Sequence, residues 1–122
     1  MSTVIPDVSR FMTSPQPAGT ENTISQQTMI RVKDPLSSLD FYCKGLGMRL
    51  IHYADFPQWK FSVYFVAPVF HDLSAGGQTD TERWNTCMNT AGCIELTWNH
   101  GSEFLNGPVY NTGNGSTIGM YH

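Results

Sequence analysis

The sequence predicts a small α+β domain in which one helix packs on a mostly antiparallel sheet, in the order β-α-β-β-β. Three observations carry this. Four stretches read as strands from alternation or from β-branched and aromatic content, one stretch repeats at helical spacing, and 122 residues fit one domain.

"ISQQTMIRV", 24–32, alternates, with Gln26, Thr28, Ile30 and Val32 on one face and Gln27, Met29 and Arg31 on the other. Asp34 followed by Pro35 opens a helix, because Asp caps free N–H groups and Pro at the first helical position forfeits no hydrogen bond. Leu36, Leu39, Tyr42, Cys43 and Leu46 recur at three- and four-residue spacing, and Gly45 and Gly47 end the run, so the helix covers roughly 35–46. "MRLIHYAD", 48–55, and "WKFSVYFVA", 59–67, form a hairpin about "FPQ". In the second of these strands Phe61, Val63 and Phe65 share a face able to line a core or a pocket. Residues 68–90 mix Gly, Thr, Asp and Asn and read as a long connection. The last strand, 91–98, leads into a Gly/Asn-rich tail. Residues 1–23, rich in Ser, Thr and Pro without sustained periodicity, read as a flexible arm before the 24–122 module.

Composition narrows the function. Seven Lys and Arg against ten Asp and Glu give no basic stripe to neutralise phosphates, so nucleic acid is not an expected partner. The chain has no apolar run long enough to cross a bilayer, and its N-terminus lacks the basic-then-apolar order of a secretory signal. Cys43, Cys87 and Cys93 are odd in number and show no CxxC spacing, which suits a reducing cytoplasm and gives no sign of a thiolate nucleophile. His52, His71, His100 and His122 show no metal-ligand spacing and read as surface or core residues.

One strand residue stands out. Glu95 sits between Ile94 and Leu96 in "CIELTWN". If Ile94, Leu96 and Trp98 face the helix, then Cys93, Glu95 and Thr97 share the open face with Gln27, Met29 and Arg31, and Gln27 meets Glu95. A carboxylate and an amide oxygen are hard ligands for a divalent ion, and Arg31 offers a fork for a substrate carboxylate. Polar residues on a sheet face are also commonly just solvated, and spacing alone leaves both readings open. A four-stranded sheet with one helix leaves its other face uncovered, which demands a partner surface, a ligand or a second copy of the unit there, and dimerisation is predicted on that ground.

"QQTM-RVKDP", "LDFY", "LGM", "DFP", "KFS-YF" and "ELT-N-G-E" occur in that order over 26–65 and 94–103. As a set they resemble eukaryotic glyoxalase I, the lactoylglutathione lyases of the vicinal oxygen chelate superfamily, whose fold is built of βαβββ modules. The resemblance implies a divalent metal, zinc in the first place with nickel or another ion as alternatives, held by Gln27 and Glu95. It also implies that Arg31 and Asn99 grip the γ-glutamyl end of glutathione and that Met29, Phe56, Phe61, Val63 and Phe65 wall the pocket; the family's usual base is a glutamate of a second module, and in a homodimer Glu95 is the catalytic residue expected to take that role. The implied substrate is the methylglyoxal–glutathione hemithioacetal and the product S-lactoylglutathione.

Two departures bear on this. The family continues into a second module through an Arg-Gly-Phe-Gly-His-Ile-Gly stretch, whereas this chain reads "NTGNGSTIGMYH", with Thr117 where the histidine would stand. Two further metal ligands are then missing from the pattern. A homodimer pairing Gln27 and Glu95 with their symmetry mates would complete an oxygen shell; the alternative is a non-catalytic glutathione- or small-molecule-binding module, or a truncated relative. The second departure is "WNHG", where the family has His-Asn-Trp-Gly, so packing around Asn99 must differ.

Overall fold

The computed structural model describes residues 3–69 and 78–112. The expectations concerning His71, Thr117 and His122 lie outside the described residues. Among those described, the elements run α1 (Arg10–Thr13), β1 (Gln27–Val32), α2 (Pro35–Leu39), a π-helical continuation (Asp40–Gly45), β2 (Arg49–Phe56), β3 (Phe61–Ala67), α3 (Asp80–Met88) and β4 (Cys93–Asn99). The four strands form one sheet in the order β1-β4-β3-β2, with β1 parallel to β4 and the other two pairs antiparallel. The mostly antiparallel βαβββ reading therefore holds. Between residues 3 and 25 no side chain is buried, and α1 is a single exposed turn.

Local chemistry explains the boundaries. Asp34 Oδ1 accepts from Leu36 N at 3.0 Å, capping α2, and Pro35 occupies the first turn. The last turns widen into a π-helix, with Leu46 N bonded to Phe41 O at 3.0 Å. Gly47, at φ 73°, then swings the chain into β2 through a conformation that other side chains resist. Pro57–Trp59 form the 3₁₀ turn between β2 and β3.

A second helix overturns part of the reading of 68–90 as a connection. Thr79 Oγ1 accepts from Glu82 N, and Thr79 N donates to Glu82 Oε2, both at 3.1 Å. This reciprocal capping box starts α3. Cys87, fully buried, fastens α3 into a core cluster with Ile51, Val63, Phe65, Ala67 and Cys93. Gln26 Nε2 reaches Cys87 O at 2.9 Å and ties the end of the helix to the start of β1.

The two sheet faces separate as the alternation predicts. Register opposes Gln27 to Cys93, Met29 to Glu95 and Arg31 to Thr97, which places these six residues on one face. Val66 and Leu96, both fully buried, belong to the face on which α2 packs. α3 covers part of the face opposite, over β2. The uncovered-face expectation is therefore corrected, because α3 packs over the β2 side of that face.

Candidate metal and substrate site

Gln27 and Glu95 are diagonal neighbours across the parallel pair, and Gln27 Nε2 donates to Glu95 Oε2 at 2.9 Å. Glu95 is half-buried, and burial holds its carboxyl above the usual carboxylate range. A desolvated carboxylate is a group that a divalent cation would stabilise, and a flip of the Gln27 amide would exchange its nitrogen for its oxygen beside Glu95, so the donor chemistry of the pair fits such an ion. Among the described residues no group of three or more His, Cys, Asp and Glu gathers around a common point.

Glu95 also forms one edge of a cavity of about 450 Å³. Its floor is aromatic and aliphatic: Phe56, Phe61, Val63 and Phe65 line it. Phe56 and Phe61 stack with centroids 4.8 Å apart, and Phe65 is only 2% exposed. Met29 does not line the cavity; it stands on β1 opposite Glu95, on the far side of β4 from the aromatic floor.

Three lining residues escape the sequence reading: His52, Ala54 and Trp84. Trp84 comes from α3, and its ring meets His52 at 5.5 Å and Phe65 at 6.0 Å, both edge-on. The capping-box pattern Thr79-x-x-Glu82 was the available signal for that helix. His52 owes its position to a bulge. Leu50 pairs with Val66 and His52 with Phe65, so Ile51 is the extra residue, and His52 is turned to the cavity face instead of standing opposite Tyr64.

Arg31 and Asn99 lie farther along the same face. Arg31 opposes Thr97, and Asn99 opposes Phe61. At about 3.3 Å per residue, four strand steps separate Asn99 from Glu95 by roughly 13 Å, comparable to the roughly 10 Å of an extended tripeptide. Arg31 Nη1 is buried without a hydrogen-bond partner, and Asn99 Nδ2 donates to Tyr110 Oη at 3.2 Å. The exchanged "WNHG" pair has its own packing. His100 Nε2 lies 2.8 Å from Ser62 Oγ, which donates to Asp55 Oδ1 at 2.6 Å, while Trp98 Nε1 donates to Glu103 Oε2 at 2.7 Å.

The Glyoxalase/Bleomycin resistance protein/Dioxygenase superfamily model matches residues 24–103. The chain belongs to this superfamily. Within the glyoxalase superfamily it is 39% identical to a lactoylglutathione lyase of Pseudomonas putida over 103 residues, covering 84% of this chain and 58% of that protein. It is 41% identical to the lactoylglutathione lyase of Schizosaccharomyces pombe over 107 residues, 88% of this chain and 30% of that one. Among solved structures, the trypanothione-dependent glyoxalase I of Leishmania major superposes with a TM-score of 0.51 at 26% identity, over 77% of this chain and 53% of that one. The chain thus spans between about a third and just over half the length of these glyoxalase relatives. No described helix is long and apolar enough to cross a membrane.

Proposed function

We propose that the protein is a lactoylglutathione lyase-type enzyme that isomerises the methylglyoxal–glutathione hemithioacetal to S-lactoylglutathione. The observation that carries this reading is the Gln27–Glu95 pair at the edge of an apolar cavity, with Arg31 and Asn99 farther along the same sheet face. The likeness to lactoylglutathione lyases supports it.

Each residue has a task in this reaction. Arg31, with a guanidinium nitrogen buried and unpartnered, takes the α-carboxylate of the γ-glutamyl group, and Asn99 takes the adjoining polar atoms. The aromatic floor receives the apolar substituent and excludes water. Glu95 removes the proton from the carbon bonded to sulfur and returns it to the neighbouring carbon. Burial raises its basicity toward that task. Gln27 and Glu95 would hold a divalent ion, zinc in first place with nickel or another divalent metal as alternatives, which would supply Lewis acidity for the charge that develops in the reaction.

The remaining ligands are assigned to a second copy of the unit, because no cluster of His, Cys, Asp and Glu completes the pair among the described residues. We place the protein in the cytoplasm, where the three free cysteines remain reduced. The test is formation of S-lactoylglutathione from methylglyoxal and glutathione with zinc, nickel or other divalent ions added. Metal-dependent turnover that falls at least about 100-fold in Glu95→Gln supports the reading. Absence of turnover with every metal, or turnover indifferent to that substitution, overturns it.

A further inference from the structure

His100 is one of the two residues exchanged around Asn99, and it heads a relay of hydrogen bonds that the reaction above does not use. Ser62 Oγ donates to Asp55 Oδ1 at 2.6 Å and lies 2.8 Å from His100 Nε2. A hydroxyl has one hydrogen, and here it goes to the carboxylate, so Ser62 Oγ is the acceptor and His100 Nε2 carries the donating hydrogen. The relay therefore runs in one direction, from imidazole to hydroxyl to carboxylate. These are the residue types of a hydrolytic triad, but Ser62 is fully buried and has given its hydrogen to the acid, so it is no nucleophile.

Strand geometry sets where the relay acts. Asp55 opposes Ser62 and Ser62 opposes Trp98, which puts them on the face of the sheet opposite the aromatic floor. The His100 ring packs against Trp98 at 4.5 Å on that face, and Trp98 Nε1 is tied to Glu103 Oε2. His100 N also donates to Lys60 O at 2.9 Å, just past the last β3–β4 pair, Phe61 and Asn99. Lys60 stands at φ 60°, a left-handed conformation that a non-glycine residue keeps where its surroundings enforce it. Asn99 lies between the two anchored rings and, by alternation, shares the other face with Phe61, which it opposes.

We propose that His100 is a positioning residue: through Ser62 and Asp55 it fixes the end of β4 and so holds Asn99 where the γ-glutamyl end of the ligand needs it. This rests on the glutathione reading above, in which Asn99 takes polar atoms of that group. An amide on a loose strand end must be ordered each time a ligand binds, and that ordering weakens affinity. Anchoring both flanking residues from behind the sheet completes the ordering on folding.

The test is calorimetric binding of S-benzylglutathione to the full chain, to Asn99→Ala, to His100→Ala and to the double variant. His100 is exposed, so its truncation leaves the core intact. The proposal expects His100→Ala to bind about fivefold more weakly, the effect of one hydrogen bond. In the Asn99→Ala background the same substitution should cost nothing further, because the residue it positions is gone. His100→Gln, whose amide keeps an N–H for Ser62, should recover most of the affinity. Unchanged binding by His100→Ala overturns the proposal while leaving the glutathione reading standing. An equal loss in both backgrounds marks a general structural effect and overturns it too, as does a His100→Gln variant that binds no better than His100→Ala. Absence of binding by the unaltered protein overturns the glutathione reading, and the positioning role falls with it.

Discussion

Gln27 and Glu95 join β1 to β4 through a 2.9 Å hydrogen bond between an amide and a carboxylate that burial has made a stronger base. The parallel pairing of the first and last strands thus brings this amide and this carboxylate together. Gln27→Ala should leave the fold intact, because Gln27 is exposed, while weakening zinc binding at least tenfold. Thermal unfolding together with zinc titration checks both halves.

Phe65 stands at the centre of the aromatic floor and is 2% exposed. Phe65→Ala should destabilise the protein by about 3–5 kcal/mol, the range for deleting a buried aromatic ring, and Phe61→Ala, at a half-buried position, by less. Urea denaturation of the two variants gives the comparison.

The α3 capping box holds Trp84 over the cavity through the helix it starts. Thr79→Ala should cost about 0.5–2 kcal/mol and shift the tryptophan fluorescence toward the red as the helix frays. Thr79→Ser, which keeps the accepting hydroxyl, should restore both.

His52 is held below its ordinary range of 6.5, first by desolvation and then by the charge of Arg83, with Asp80 opposing. The unfolded chain therefore binds the proton more readily than the folded one. Stability contributed by keeping this ring neutral is present above pH 6.5 and declines as pH falls from there through the lowered folded value. His52→Phe should flatten the stability profile over that interval, as read from urea midpoints at successive pH values.

Much of the site was legible in the sequence because it depends on strand periodicity. The alternation of 24–32 and 91–98 places Gln27, Arg31 and Glu95 on one face whatever the helices do, and Phe61, Val63 and Phe65 follow from the same period of two. The roof was not legible. α3 is short and polar on average, and its one clear signal, Thr79-x-x-Glu82, lay inside a stretch whose Gly, Thr and Asn content resembles a loop. His52 was hidden for another reason. A bulge adds one residue and reverses the face that alternation assigns, and no pattern in "RLIHYAD" marks it. Met29 shows the converse limit, since sharing a face with Glu95 does not bring it to the same cavity.

The central claim is that Gln27 and Glu95 form half of a metal site completed by a second copy. Native mass spectra of the 122-residue chain with zinc, beside those of Glu95→Gln, test it most directly. The account predicts a dimer carrying one ion per two chains, with the ion lost in the variant. A zinc-free monomer, or zinc retained equally by Glu95→Gln, would contradict it.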